Sequence, residues 1–105
     1  MSRFQLAYEH LRNSLTKGNL WLYVLSALEE KPSSPGDIKQ LVYRRFGFAP
    51  ATITFYSVLY KLRQEELVKR SSEEFRSEYE ITSKGREQLA RARELLVEVG
   101  KNIRS

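Results

Sequence analysis

Apolar residues along this chain keep one spacing for long stretches and change it once. Between residues 51 and 66 they recur with helical period: Phe55, Leu59 and Leu62 share a stripe, with Ile53 and Val58 nearby. Beyond that the period shortens. Leu67-Val68-Lys69-Arg70 and Glu78-Tyr79-Glu80-Ile81-Thr82 read as two short strands around the polar residues 71–77. Upstream, Phe4, Tyr8, Leu11 and Leu15 are spaced by four, three and four and predict a helix over residues 3–15, which Gly18 interrupts. Residues 19–30, with the run LWLYVLSALEE, predict a second helix, apolar on most sides and therefore buried. Lys31-Pro32-Ser33-Ser34-Pro35 reads as a turn. Ser34 suits the N-cap of the next helix, Pro35 its first position, and Asp37 its positive end. That helix carries Ile38, Leu41, Val42 and Phe46 on its core face and ends at Gly47. Residues 48–50 form the following turn, with Pro50 helping to start the helix after it.

The last helix begins at Thr82 or Ser83, either of which can cap it, and runs to about residue 103. Its apolar residues Leu89, Ala92, Leu96, Val99 and Ile103 follow spacings of 3, 4, 3 and 4, a short heptad seam. Arg91, Arg93, Glu94, Glu98 and Lys101 take the other faces. The order helix, helix, turn, helix, hairpin, helix predicts a mostly α fold with a small β-hairpin (α+β). The expected architecture is a winged helix-turn-helix with N- and C-terminal dimerisation helices. One domain over residues 1–105 is expected, with a core module at about 17–82 and the long helix over 83–104. The seam is longer than so small a core needs. A homodimer is therefore expected, through Phe4, Tyr8 and Leu11 of the first helix and Leu89, Ala92, Leu96, Val99 and Ile103 of the last.

Composition narrows the class. A hydrophobic share of 41% and a charged share of 30% over 105 residues fit a globular protein. No apolar run approaches the roughly 20 residues a membrane span needs, and MSRFQLAYEH lacks the apolar centre of a secretory signal. The expected location is cytoplasmic, associated with the nucleoid. There is no cysteine, and His10, beside Glu9, is the single histidine, so neither a catalytic triad nor a metal cluster is expected. Gly18, Gly36, Gly47, Gly85 and Gly100 are isolated and read as breaks or caps, not as a phosphate-cradling loop. An enzyme, a metal and a cofactor are accordingly not expected.

Charge adds direction. The net charge is +5. Residues 31–70 hold eight basic and three acidic side chains and so account for all of it, since residues 1–30 balance at three against three and residues 71–105 at seven against seven. The excess lies on the central helices and the first wing strand, where a phosphate-tracking surface belongs. Double-stranded DNA is the expected partner, with the helix of residues 51–66 in the major groove. Thr52 and Thr54 can reach base edges or thymine methyls, Tyr56 and Ser57 can donate to phosphate, and Lys61, Lys39, Arg44 and Arg45 are phosphate candidates. Lys69, Arg70 and Arg76 are the wing candidates, with Glu73 and Glu74 opposing them. The helix has no Asn, and Arg63 and Gln64 lie near its C-terminal end, which predicts modest sequence specificity with a large electrostatic share.

Two segments carry a resemblance. Thr54-Phe55-Tyr56-Ser57-Val58-Leu59-Tyr60-Lys61-Leu62 resembles the T-L-Y-P-x-L-x-x-L signature of PadR-type transcriptional regulators. Glu78-Tyr79-Glu80-Ile81-Thr82-Ser83-Lys84-Gly85-Arg86 resembles that family's x-Y-x-L-T-x-x-G-R junction between wing and helix, and Gly18-Asn19-Leu20 resembles the start of its first helix. The likeness covers about residues 17–90. It implies a dimeric DNA-binding repressor. Two departures stand out: Glu66 occupies the place where the family usually has glycine before the first wing strand, and Ser57 replaces a frequent proline. Two other functions fit parts of the pattern: a winged-helix protein–protein interaction module and a nonspecific DNA-architectural protein. Trp21, Tyr23, Phe4 and Tyr8 are also candidates to line a cavity for a small aromatic ligand at the dimer interface, against the simpler reading of Trp21 as core.

Overall fold

The computed structural model describes residues 3–71 and 77–104, with side chains from Leu6 onward. Five helices and one hairpin follow in order: α1 (Arg3–Leu15), a 3-10 turn (Lys17–Asn19), α2 (Leu20–Leu28), α3 (Pro35–Phe46), α4 (Thr52–Gln64), β1 (Val68–Arg70), β2 (Tyr79–Ile81) and α5 (Ser83–Asn102). The wing-tip residues Glu73, Glu74 and Arg76 and the side chain of Phe4 lie outside the described part.

Helix ends are set by local chemistry. The Ser34 hydroxyl accepts the Asp37 N–H at 3.2 Å, and Pro35 follows at the first helical position. At the other end of α3, Gly47 takes the left-handed conformation at φ 79°. α4 ends in the same way with a different residue. Glu66 is left-handed at φ 64°, the Leu67 N–H donates to the Leu62 carbonyl at 2.9 Å, and the Glu66 N–H donates to Arg63 at 3.0 Å. That pair of bonds is a Schellman closure, and Leu62 and Leu67 complete it by entering the core together.

The core gathers one face from every central element. Leu20, Val24, Leu25 and Leu28 of α2 meet Ile38 and Val42 of α3, Phe55, Leu59 and Leu62 of α4, Val68 and Ile81 of the hairpin, and Leu89 of α5. Fully burying side chains of this size stabilises by about 1.5–3 kcal/mol each. α2 is the central strut, although Trp21, Leu22 and Tyr23 keep partial exposure. Tyr23 wedges edge-on against Phe46 at 4.7 Å and Phe48 at 5.2 Å, and its hydroxyl donates to the Leu15 carbonyl at 2.5 Å, tying the end of α1 to the core. Its burial pushes the phenol pKa above the ordinary value of 10.0.

Several expectations are corrected. Ile53 is not near the core stripe: it is 87% exposed. Two residues before Phe55 is about 200° round the helix, which sends its side chain outward. α2 is shorter than residues 19–30. Gly36, Gly85 and Gly100 sit within helices and are neither breaks nor caps. Gly85 is buried because the Leu67 backbone crosses it: a Cβ there would lie 2.2 Å from the Leu67 carbonyl oxygen and 2.8 Å from Ile81 Cγ1. Thr82 rather than Ser83 caps α5. Its hydroxyl accepts the Gly85 N–H at 3.0 Å and donates to the Glu66 carbonyl at 2.7 Å, joining the exit of α4 to the start of α5. The turn at residues 31–35 also does more than turn. The Ser33 N–H and carbonyl pair with the Tyr79 carbonyl and N–H, each at 2.9 Å, on the edge of β2 away from β1.

Candidate nucleic-acid interface

The core stripe of α4 fixes what its opposite face presents. With Phe55, Leu59 and Leu62 inward, the residues farthest from the core are Ile53, Ser57, Tyr60 and Gln64, with Tyr56 and Lys61 beside them, and all six are exposed. The Gln64 amide donates to the Tyr60 hydroxyl at 2.8 Å, which orients both. No acidic residue lies within α4, and Lys61 and Arg63 occupy its last turns.

The sequence-predicted residues fall around this face in three groups. Ser57, Tyr56 and Lys61 lie on it or at its edge. Thr52 and Thr54 are exposed on its two flanks. The Thr52 hydroxyl accepts from Lys39 Nζ at 3.0 Å, and the same ammonium stands 5.8 Å from the Phe55 ring centroid, so Lys39 clasps α3 to α4. Thr54 turns towards Lys17 and Leu20, on the side of the 3-10 turn. Arg44 is exposed beside Tyr43 and Lys39, in a shallow groove closed by Ala49 and Pro50.

The third group is engaged elsewhere. Arg45 reaches back to α2: it pairs with Glu30 at 3.8 Å, donates to the Ser26 carbonyl at 3.4 Å and stacks on Phe46. Lys69 pairs across the hairpin with Glu80 at 3.2 Å. Arg70 donates to the Ser77 hydroxyl at 3.2 Å, and with Arg63 it brackets the Tyr79 ring, at 5.9 and 5.8 Å from the centroid. Ile53, Tyr60, Gln64 and Arg63 are exposed on or beside this face without being among the sequence-predicted contacts. Counting rotation from Phe55 finds the first three; Arg63 needs the wing in place.

The residues proposed for dimerisation separate by burial. Leu89 is in the core and Ala92 half-buried, whereas Leu96, Val99 and Ile103 are exposed, as are Tyr8 and Leu11 of α1. Leu95 joins the exposed stripe of α5, and Leu15 that of α1. Of the aromatic residues expected round a ligand, Trp21, Tyr23 and Tyr8 are described and have separate surroundings. Trp21 lines a groove of about 450 Å³ with Val58 and Lys61 of α4 and Gln88 of α5. Tyr23 is committed to Phe46 and Phe48, and Tyr8 faces solvent.

Comparison with known proteins agrees with this architecture. A PadR family transcription regulator from Clostridium difficile R20291 superposes with a TM-score of 0.70 at 24% identity, over 79% of this chain and 92% of that one. A transcriptional regulator from Clostridium thermocellum gives 0.71 at 24% identity, over 80% and 85%. A PadR-like transcription factor from Bacteroides fragilis gives 0.71 at 22% identity, over 88% and 93%. Curated protein sequences give no match. The winged-helix fold is thus shared with solved regulators. The model of the transcriptional regulator PadR-like family matches residues 24–91, about two thirds of the sequence, and the chain belongs to that family.

Proposed function

We propose that this chain is a double-stranded DNA-binding transcriptional regulator that acts as a homodimeric repressor in the cytoplasm, with α4 in the major groove. One observation carries the reading: the face of α4 opposite the core is exposed, free of carboxylates, and stocked with hydroxyl, amide and ammonium groups. Cations flank it, with Lys39 and Arg44 from α3 and Arg63 and Arg70 at the wing. Residues at the start of such a helix reach base edges, while the flanking cations track phosphates.

Thr52, Thr54, Tyr56, Ser57 and Lys61 are the proposed contacts on α4, Lys39 and Arg44 those on α3, and Arg70 and Arg76 those on the wing. Lys69 and Arg45 contribute less, each being already paired with a carboxylate. The exposed apolar stripes of α1 and α5 supply the dimer contact, giving two α4 helices about 34 Å apart over successive turns of one DNA face. A small aromatic ligand in the Trp21 groove would touch the inner side of α4 at Val58 and so bias DNA binding.

Fluorescence anisotropy tests the reading, with duplex DNA from the chain's own upstream region and a scrambled duplex. Tight binding that weakens roughly a hundredfold or more between 50 and 200 mM salt is expected. Equal affinity for both duplexes would favour a nonspecific architectural role. Absence of binding at low salt would remove the DNA reading and favour a protein-interaction module.

A further inference from the structure

From the exposed face of α4 we infer that Ile53 is a specificity-determining residue that reads the 5-methyl group of thymine. The inference rests on the proposed placement of α4 in the major groove and deepens it by naming the base it selects.

Ile53 is the most exposed of the large hydrophobic side chains described, at 87%. Single exposed hydrophobics are common on protein surfaces and carry no meaning by themselves. The position of this one distinguishes it. It is the second residue of α4, in the first turn, where recognition helices come closest to base edges. It points about 150° away from the mean direction of Leu62 and Leu59, on the side of the helix opposite the core. It heads the outward stripe that continues through Ser57, Tyr60 and Gln64. Among the four, only Ile53 has no polar atom in its side chain.

The chemistry of the groove then selects the partner. The base edges in the major groove present carbonyl oxygens, ring nitrogens and amino groups, and one apolar group, the thymine methyl. An aliphatic side chain set against an amino group or a carbonyl would strip water from it and return no hydrogen bond, which costs free energy. Set against the methyl, it buries apolar surface on both partners. The β-branched Ile53 is also stiff at χ1, so little rotamer freedom is lost on contact. The polar residues of the stripe discriminate less by comparison: a serine hydroxyl both donates and accepts, and Gln64, one N–H of which goes to the Tyr60 hydroxyl, is the last residue of α4, away from its first turn.

The test begins with selection of bound duplexes from a random-sequence pool using the intact protein. Each thymine of the selected site is then replaced, one at a time, by deoxyuridine, which lacks only the methyl. At one thymine in each half-site the replacement is expected to weaken binding about threefold to tenfold. The variant Ile53→Ala, whose exposed position leaves the fold intact, is expected to bind thymine and deoxyuridine duplexes equally while keeping the salt dependence of the wild type. Ile53→Val is expected to keep the preference. The inference is overturned if Ile53→Ala distinguishes the two duplexes as well as the wild type does, or if no thymine shows a methyl effect in a site that is nonetheless bound selectively. Failure of the wild type to bind any duplex would overturn the placement of α4 as well, and so marks the deeper failure.

Discussion

The apolar side chains of the central helices α2, α3 and α4 and those of the two terminal helices follow the same helical spacing, yet they end in opposite surroundings. In the central body, Val24, Leu25, Ile38, Val42 and Phe55 are fully buried against one another. In α1 and the second half of α5, Leu11, Leu15, Leu96 and Val99 meet solvent, as does Ile103 just past the end of α5. Spacing alone therefore tells that a face is apolar and not what covers it. The body supplies its own cover because α2 is surrounded by α3, α4, the hairpin and the start of α5. Only the first half of α5 shares that cover, ending with Leu89 and the contact of Arg93 with Glu29 at 3.4 Å.

The sharpest way to break the body is at its tightest backbone crossing. Gly85→Ala places a methyl where the Leu67 carbonyl stands, and neither backbone can yield without moving the hairpin or α5. A loss of roughly 3 kcal/mol or more is expected in urea denaturation. The terminal helices respond differently. Leu96→Glu combined with Val99→Glu is expected to lower the solution mass from twice 12.3 kDa to 12.3 kDa by sedimentation equilibrium, raising the dimer dissociation constant about a hundredfold or more, while the near-ultraviolet signal of the body persists. Unchanged mass would remove the proposed dimer contact. The smallest change has the opposite sign. Glu66→Gly relieves a left-handed residue at the end of α4 and is expected to stabilise by about 1 kcal/mol, read as a higher denaturation midpoint.

The same contrast shows what the sequence made legible. Caps were readable because they act within four residues: Ser34 and Gly47 at the two ends of α3, and for α5 the choice of Thr82 or Ser83, which the Gly85 N–H settles in favour of Thr82. The core stripe of α4 and the two strands were readable because period reports a buried face. The pairing of Ser33 with Tyr79 was not, since a single bridge between residues 46 positions apart leaves no periodic trace. Gly85 looked like punctuation because nothing local announces that Leu67 will cross it. The charged residues show the same limit. Arg45 and Lys69 matched Arg44 and Arg70 in kind, and only the folded chain brings Glu30 and Glu80 against them. Glu66 illustrates the converse: its departure from the family's glycine was visible in sequence, whereas the left-handed conformation that explains the glycine was not.

The most direct measurement is the duplex affinity of Ser57→Glu beside that of Asn102→Glu, each at one salt concentration. Both add a single carboxylate at an exposed helical position, the first at the centre of the outward face of α4 and the second at the end of α5. If α4 enters the groove, Ser57→Glu loses at least tenfold in affinity and Asn102→Glu stays within about twofold of the wild type. Equal, small losses in both would contradict the placement of α4 on DNA.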